Sequence, residues 1–442
     1  MRYIWIGIDD TDSVKGGCTT HTASVILKRL IDEKFDIIGF PRLVRLNPNI
    51  PWKTRGNGAV CFQVGKGKGK KIKIGEFQDK EIFAYDEYYS EKGPIEKIAE
   101  IVKNVIDKYA RVDDTNTNSG FVISKNSLPI KFYNDAVKKV VAVQEIKLEL
   151  KKKNIFFKGY KNSRGIIGAS ASISWNPKKD KTYELIAYRE KEKWGSNRIF
   201  DDKSTIRIDK KYVSTFDNYD YKNKHNRLVP SSPCPVLYGM RGDKYEELID
   251  AKSYIESESV DSWLIFLTNQ GTDDHLQKKK IKNIKSYESV IVTGFVKKEP
   301  FIIKGGHVFF QICDKTGKID CAAYEPTKEF RNIIKKLKTG DKLCVFGGVR
   351  NKPLTINLEK IKIEKLTELI VKTENPICKK CGKHMKSQGY NQGFKCKKCG
   401  TKSSNAKYIK KSRELKVGFY EVPVCARRHL SKPLKRIYHN AF

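Results

Sequence analysis

Four cysteines near the end of this chain restrict its backbone more tightly than any other feature. Cys378-Lys-Lys-Cys381 and Cys396-Lys-Lys-Cys399 are separated by 14 residues. Each pair puts two thiolates on one tight turn, and two such turns close a tetrahedron around Zn²⁺. Gly382 and Gly400 follow the pairs and permit the turn conformation. The spacing predicts a zinc ribbon over residues 374–415 with Cys378, Cys381, Cys396 and Cys399 as ligands; redox use of the pairs is the alternative. Four thiolates leave no position for water, so the site is structural, and His384 is not needed for it. The remaining seven of the eleven cysteines are scattered, which fits a reducing cytoplasm rather than a secreted disulfide scaffold.

The charge balance is equally directive. Lysine and arginine total 88 against 51 acids, a net +37. In a chain with 39% hydrophobic residues this excess points to a folded protein that meets a polyanion, nucleic acid first. Residues 371–442 hold 19 basic and 3 acidic groups, interleaved with Tyr390, Phe394, Tyr408, Phe419 and Tyr420. Flat rings beside cations suit exposed bases; a general lysine bias is the bland alternative. No apolar run reaches 18 residues, and Met1-Arg-Tyr-Ile-Trp5 is too short for a signal peptide, so neither a membrane span nor a leader is expected. No protein partner is evident.

At 442 residues the chain should hold about two to four domains. Residues 1–135 alternate strands and helices: strand Tyr3–Ile8, helix Thr20–Lys34, strand Ala59–Val64, helix Gly93–Lys108. Gly65-Lys-Gly-Lys-Gly-Lys-Lys71 fails the P-loop pattern and reads as a basic turn before a strand Lys71–Ile74. Residues 136–277 form a second α/β unit. It contains a helix or tight turn at Arg164–Ala171 and strands Tyr183–Tyr188 and Asp261–Thr268. Its last strand runs into the polar loop Asn269–His275, a place for a site. Lys278–Lys285 reads as a charged linker. Over 286–366 five short strands recur, Val290–Val296, His307–Asp314, Ile319–Tyr324, Lys342–Val349 and Thr355–Ile363. One helix, Glu329–Leu337, precedes the fourth, which is the order of an OB-fold β-barrel.

Chemistry is written most densely at the N-terminus. The apolar run Tyr3–Ile8 ends in Asp9, Asp10 and Asp12, as a buried strand delivers acids to the edge of a sheet. Three carboxylates so close repel one another, and a divalent cation relieves that; Mg²⁺ is the usual companion of ATP phosphates. Thr19 and Thr20 follow a Lys15-Gly-Gly17 turn, and hydroxyls beside such a site can pass on a phosphoryl group. An acidic surface turn with a helix cap before Ala23 is the alternative.

These pieces together resemble the archaeal tRNA(Ile) 2-agmatinylcytidine synthetase family over nearly the whole chain. The resemblance rests on Gly7-Ile-Asp-Asp-Thr-Asp12 with Cys18-Thr-Thr20, Gly39-Phe-Pro-Arg-Leu-Val-Arg-Leu-Asn-Pro48, Lys53-Thr-Arg-Gly-Asn-Gly-Ala59 and Asn116-Thr-Asn-Ser-Gly120. It continues through Arg164-Gly-Ile-Ile-Gly-Ala169, Pro233-Cys-Pro-Val-Leu-Tyr-Gly239 and Thr268-Asn-Gln-Gly-Thr-Asp273. The final residues lie outside the matching motifs.

The resemblance implies a multidomain α+β protein: a kinase-like α/β ATP-binding domain (1–135), a ferredoxin-like domain (136–277), an OB-fold β-barrel (286–366), a zinc ribbon (374–415) and a basic C-terminal segment (416–442). It implies a cytoplasmic ATP-dependent ligase that replaces the C2 oxygen of the wobble cytidine of a CAU-anticodon tRNA(Ile) with agmatine. ATP would break down to AMP and phosphate, with Mg²⁺ and Zn²⁺ as metals. Asp9, Asp10 and Asp12 would hold Mg²⁺, and Thr19 would be the autophosphorylated threonine, with Thr20 its neighbour. Lys53, Arg55 and Asn57 would neutralise phosphate charge, and Asn116 and Asn118 would complete the nucleotide site. Agmatine, a dication, asks for carboxylates; Asp217 and Asp220, or Asp273 and Asp274, are candidates, ordinary loop aspartates being the competing reading of each. Two other functions compete with the ligase: a non-catalytic OB-fold and zinc-ribbon nucleic-acid binder, and a DNA-acting ATPase or primase-associated factor.

Overall fold

The computed structural model describes residues 3–89, 95–389 and 391–439. Gly93, expected at a helix start, and Tyr390 lie outside them. Strand β1 (Ile4–Asp9) sits inside a ten-stranded sheet with β2 (Asp36–Arg45), β3 (Gly58–Phe77), β4 (Lys80–Tyr89), β5 (Gly120–Ser124) and β6 (Phe156–Gly159). Side chains alternate across a strand, and both faces of β1 are covered. Ile4, Ile6 and Ile8 pack beneath α1 (Thr19–Asp32) and α2 (Ile95–Tyr109). Trp5 points the other way, into a core with α3 (Lys131–Lys138), α4 (Val143–Lys152) and α5 (Gly165–Ser174). A boundary at residue 135 would therefore cut α3, whose Phe132 and Val137 belong to the first sheet's core.

The expected turn at Gly65–Lys71 is absent. β3 runs unbroken for 20 residues against β4, with register shifts between Lys68 and Lys71 and between Lys73 and Gly75. Gly69, at a φ of 82°, lets the strand bulge where the sequence suggests a turn.

The sheet continues into a second unit without a break. β7 (Thr182–Arg189), α6 (Asp202–Lys211), β8 (Thr215–Phe216), β9 (Tyr219–Asp220), β10 (His225–Asn226), β11 (Val236–Gly242), α7 (Tyr245–Lys252) and β12 (Val260–Thr268) follow one another. The order β12-β7-β11-β8 is antiparallel throughout, with two crossover helices. That is the ferredoxin-like arrangement, with the β9–β10 hairpin inserted in its second crossing. β12 joins the two units by pairing with β2 and β3.

The expected linker is not free: β13 (Leu276–Lys278) pairs in parallel with β14 (Ser289–Ile303), and Ile281 and Ile284 are buried beneath the next domain. Apolar side chains at two positions among the lysines anchor it. β14, β15 (His307–Asp314), β16 (Gly317–Ala323), β18 (Thr355–Lys365) and β17 (Lys342–Arg350) follow in that order, and β17 returns to β14. This closes the five-stranded OB barrel around Val292, Phe310, Val345 and Ile361. Its helix α8 is only Phe330–Ile334.

A two-stranded exposed stalk, Leu369–Glu374 with Lys407–Lys411, leads to the ribbon and back. The ribbon has its own small core of Cys378, Met385, Phe394 and Cys396. Phe394 is thus buried structure rather than an exposed stacking ring.

The sequence offers the C-terminal residues as charge presented to nucleic acid. Many of them instead neutralise acids inside the protein. Strand Gly418–Glu421 pairs with β18, and Arg427 engages Asp217 and Glu421. Lys432 holds Asp180 at 2.9 Å, and the buried Arg436 holds both Asp180 and Asp243. No helix among the described residues is long and apolar enough to cross a membrane.

Candidate active site

One cavity of about 510 Å³ opens where the first sheet meets the ferredoxin-like unit. β1 brings Asp9, Asp10 and Asp12 to one wall. Asp10 has a φ of 57°, a conformation aspartate tolerates better than most residues. The motif around Asn116–Gly120 braces the bend. Asn118 N donates to Asp10 Oδ2 at 3.0 Å, Ser119 Oγ to the Asp10 carbonyl at 2.8 Å, and Thr117 Oγ1 to the Asp12 carbonyl at 2.8 Å.

The glycines of α5 have a steric reason. A Cβ on Gly168 would stand 1.9 Å from Asp9 Oδ2, and one on Gly165 2.6 Å from the Asp9 carbonyl oxygen. A helix without side chains at these positions can lie directly on the carboxylate and strip it of water. Burial and the neighbouring Asp10 push the Asp9 pKa well above the carboxylate range. Burial likewise raises Asp10 to about 7, against the pull of Asn118 N–H.

Asp12 is compensated differently. Arg55 donates Nε to Asp12 Oδ2 at 2.7 Å and reaches Gly17 O and Ser232 Oγ with its other nitrogens. Arg55 thereby ties the acidic turn to the Pro233–Gly239 region of the second unit. Thr19 and Thr20 open α1 behind Cys18, both nearly buried. Thr11 Oγ1 donates to Thr19 Oγ1 at 3.2 Å, whereas Thr20 Oγ1 faces Cys18 Sγ at 3.0 Å.

Lys53 and Asn57 also line the cavity. The walls desolvate the Lys53 ammonium and Arg428 repels it, which lowers it to about 8. Asn57 donates to the Asn47 carbonyl and holds the loop at a φ of 46°. Trp52, 44% exposed, lines the cavity with the Arg164 guanidinium 4.2 Å over its ring.

Other expected residues are not brought here. Asn116 is exposed and Asn118 braces from behind; neither lines the cavity. Asp217 is bound to Arg427. Asp220 accepts Cys425 N–H at 3.0 Å, and Asp273 faces the buried Lys360 at 2.7 Å. Asp274 accepts the Tyr133 hydroxyl at 2.7 Å. These four carboxylates face protein donors, most of them on the barrel or the C-terminal strap, because the barrel docks on this side.

Residues not singled out from the sequence fill the opposite wall: Arg45, Glu184, Arg227, Arg241 and His429. Arg45 closes the Gly39–Pro48 motif, and Asn269 of the Thr268–Asp273 motif exchanges two hydrogen bonds with its backbone, at 2.7 and 2.9 Å. Membership of those motifs was the available signal for Arg45. Nothing local marks His429, which arrives from the far end of the chain.

Among the described residues the four ribbon cysteines are the only cluster of three or more metal-ligating side chains whose donor atoms lie within 4.8 Å of one another. Their Sγ atoms approach at 3.3, 3.4 and 3.7 Å. Tetrahedral Zn–S bonds put sulfurs roughly 3.8 Å apart, so the set fits Zn²⁺.

Comparison with known proteins agrees with this geometry. Residues 5–162 match the TiaS TCKD domain, 163–275 the TiaS FLD domain, 290–364 the OB-fold nucleic acid binding domain and 375–415 the TiaS C-terminal zinc ribbon domain. The tRNA(Ile) 2-agmatinylcytidine synthetase TiaS of Archaeoglobus fulgidus is 43% identical over 439 residues, covering 98% of this chain and 97% of the relative. That of Methanocaldococcus jannaschii is 43% identical over 447 residues, with 99% of each covered. A solved complex of TiaS with its isoleucine tRNA and ATP superposes with a TM-score of 0.85 at 42% identity, over 99% of this chain and 98% of that one. A complex of TiaS with the same tRNA, AMPCPP and agmatine gives 0.82 at 40% identity, again over 99% of this chain and 98% of that one. This chain belongs to the TiaS family of tRNA(Ile) 2-agmatinylcytidine synthetases.

Proposed function

We propose that the chain is an ATP-dependent, tRNA-modifying ligase of the cytoplasm. It joins agmatine to C2 of the wobble cytidine in a CAU-anticodon isoleucine tRNA. The observation that carries this reading is the cavity itself: carboxylates and two threonine hydroxyls on one wall face a cationic wall, in a chain alike end to end to its TiaS relatives.

A pyrimidine carbonyl oxygen leaves poorly, and phosphorylation of that oxygen makes it a good leaving group. The agmatine amine then bonds to C2, the C2–O bond breaks with its electron pair on oxygen, and the amine proton leaves with the phosphate. ATP yields AMP and two phosphates over the cycle. Thr19 stands where α1 begins and is the phosphorylated hydroxyl; Thr20 is held by Cys18. Lys53, Arg55 and Asn57 steady phosphate charge. Asn116 and Asn118 act through the backbone that shapes the Asp10 turn.

Asp9 and Asp10 fit Mg²⁺: two dehydrated carboxylates with raised pKa values are what a dication would relieve, and phosphates would supply its other ligands. Asp12, engaged by Arg55, would orient that pair. Bound Mg²⁺ would supply charge neutralisation to the phosphates. Zn²⁺ holds the ribbon and takes no part in the chemistry. For Asp217, Asp220 or Asp273 to meet agmatine, each would have to exchange a partner it now holds.

Mass spectrometry of the wobble nucleoside tests the proposal, after incubation with the tRNA transcript, ATP, Mg²⁺ and agmatine. A gain of agmatine minus water that requires ATP is expected. An unmodified cytidine with no ATP turnover would return the chain to the class of nucleic-acid binders.

A further inference from the structure

The wall opposite the carboxylates holds more positive charge than the protein itself satisfies. Arg45, Arg227, Arg241 and Lys53 face the cavity, with Glu184 the one acid among them. Glu184 is shared: Arg241 Nε lies 3.1 Å from one oxygen and Arg45 Nη2 3.5 Å from the other. Arg45 Nε is buried without a partner, and the Arg227 guanidinium makes no hydrogen bond or ion pair among the described residues. His429 sits among these cations with no hydrogen bond to its ring among the described residues. The C-terminal strap carries it there, and a Cβ on Gly56 would meet Arg45 Nη1 at 2.8 Å and His429 Nε2 at 3.3 Å. The ring is surrounded by protein yet still touched by solvent, because the cavity is its opening. Burial, with four cations around it, keeps it neutral, so it offers one N–H donor rather than a fifth charge.

The position of this wall separates it from the carboxylates. Arg45 ends β2 and Asp9 ends β1, and both strands pair with β3, one on each side. Two strand spacings put these ends roughly 10 Å apart. Groups at Asp9 and Asp10 therefore belong to one end of the cavity and the cation wall to the other. A dicationic amine is repelled by the cation wall. Desolvated guanidinium groups with spare donors are the recognition chemistry of phosphate.

We propose that Arg45, Arg227, Arg241, Lys53 and His429 form a second phosphate subsite, apart from the carboxylate end, that receives a free phosphate of the reaction or a phosphodiester of the RNA. The proposal uses the ligase reading only to name these two sources; affinity for phosphate does not depend on it.

Titration calorimetry of the full chain at fixed ionic strength tests it, with inorganic pyrophosphate, orthophosphate and the CAU tRNA transcript as probes. The variants are Arg227→Gln and His429→Gln, since neither side chain holds another in place, and circular dichroism reports that they fold. If the source is the reaction, pyrophosphate or orthophosphate binding weakens about tenfold in both while RNA affinity is unchanged. If the source is RNA, tRNA affinity and its salt slope fall, the slope by about one in Arg227→Gln, with the free phosphates unaffected. Folded variants that bind all three probes as the wild type does would overturn the subsite, whether or not the nucleoside is modified.

Discussion

Asp10 shows how one residue's surroundings become a measurable pH dependence. Its carboxyl titrates near 7 in the folded protein because burial disfavours the charge, and near 3.8 when unfolded. Between about pH 4 and 7 the unfolded chain therefore binds fewer protons, and stability falls as pH rises. Asp10→Asn should raise the melting temperature in EDTA at about pH 8 and change it little near pH 4. Mg²⁺ should stabilise the wild type more at pH 8 than at pH 5.5; an equal shift at both would remove Asp10 from the metal site. Lys53 gives the opposite sign for binding. Lowered to about 8, it loses its charge as pH passes that value, so ATP affinity should decline several-fold from pH 7 to 9, and Lys53→Arg should flatten the profile. Thr19→Ala should abolish protein labelling from γ-labelled ATP while Thr20→Ser keeps it; the reverse would move the acceptor by one residue.

At the scale of elements, the contact of α5 with β1 decides whether the carboxylates stand where the cavity needs them. Gly7 lies so close that a Cβ there would meet the Ala169 carbonyl oxygen at 2.3 Å, and Gly168 is pressed on Asp9. Gly168→Ala forces the helix or the carboxylate aside, at an overpacking cost of about 1–3 kcal/mol. Activity should fall at least a hundredfold while a lowered but cooperative melting transition remains. Normal activity in that variant would show that α5 can retreat without moving Asp9. The Arg164-Gly-Ile-Ile-Gly-Ala169 motif was legible as small residues on a helix or tight turn because glycine spacing is local. That they serve Asp9, some 160 residues earlier in the chain, was not. The bulge at Gly69 shows the converse: a glycine–lysine repeat reads as a turn locally, but pairing with β4 keeps it extended.

Across the whole molecule, two attachments carry different loads. The ribbon hangs on an exposed stalk and has its own core, so metal removal should unfold it alone. Cys396→Ser should release the zinc and leave the main melting transition within a few degrees of wild type, with loss of tRNA modification. A large drop in that transition would show that the ribbon supports the body. The C-terminal strap is the reverse case. Arg436 is 3% exposed and bridges Asp180 and Asp243, so Arg436→Ala leaves both carboxylates without that partner. About 3–5 kcal/mol of stability should be lost, read as a lower denaturant midpoint. An unchanged midpoint would mean that water replaces the arginine there.

The zinc ligands, the five barrel strands and the carboxylate turn were written in the sequence, because metal spacing, two-residue alternation and a strand ending in acids are short-range patterns. The partners of those groups were decided by tertiary structure. Asp217, Asp220 and Asp273 look like free loop carboxylates until the barrel and the C-terminal strap bring Arg427, Cys425 N–H and Lys360 onto them. Arg227, Arg241 and His429 look like ordinary surface charge until three distant segments converge on one cavity. A local pattern determines what a residue can do. Whether its charge meets water, a counter-charge or a cavity depends on chain segments hundreds of positions away, and only the folded packing brings them together.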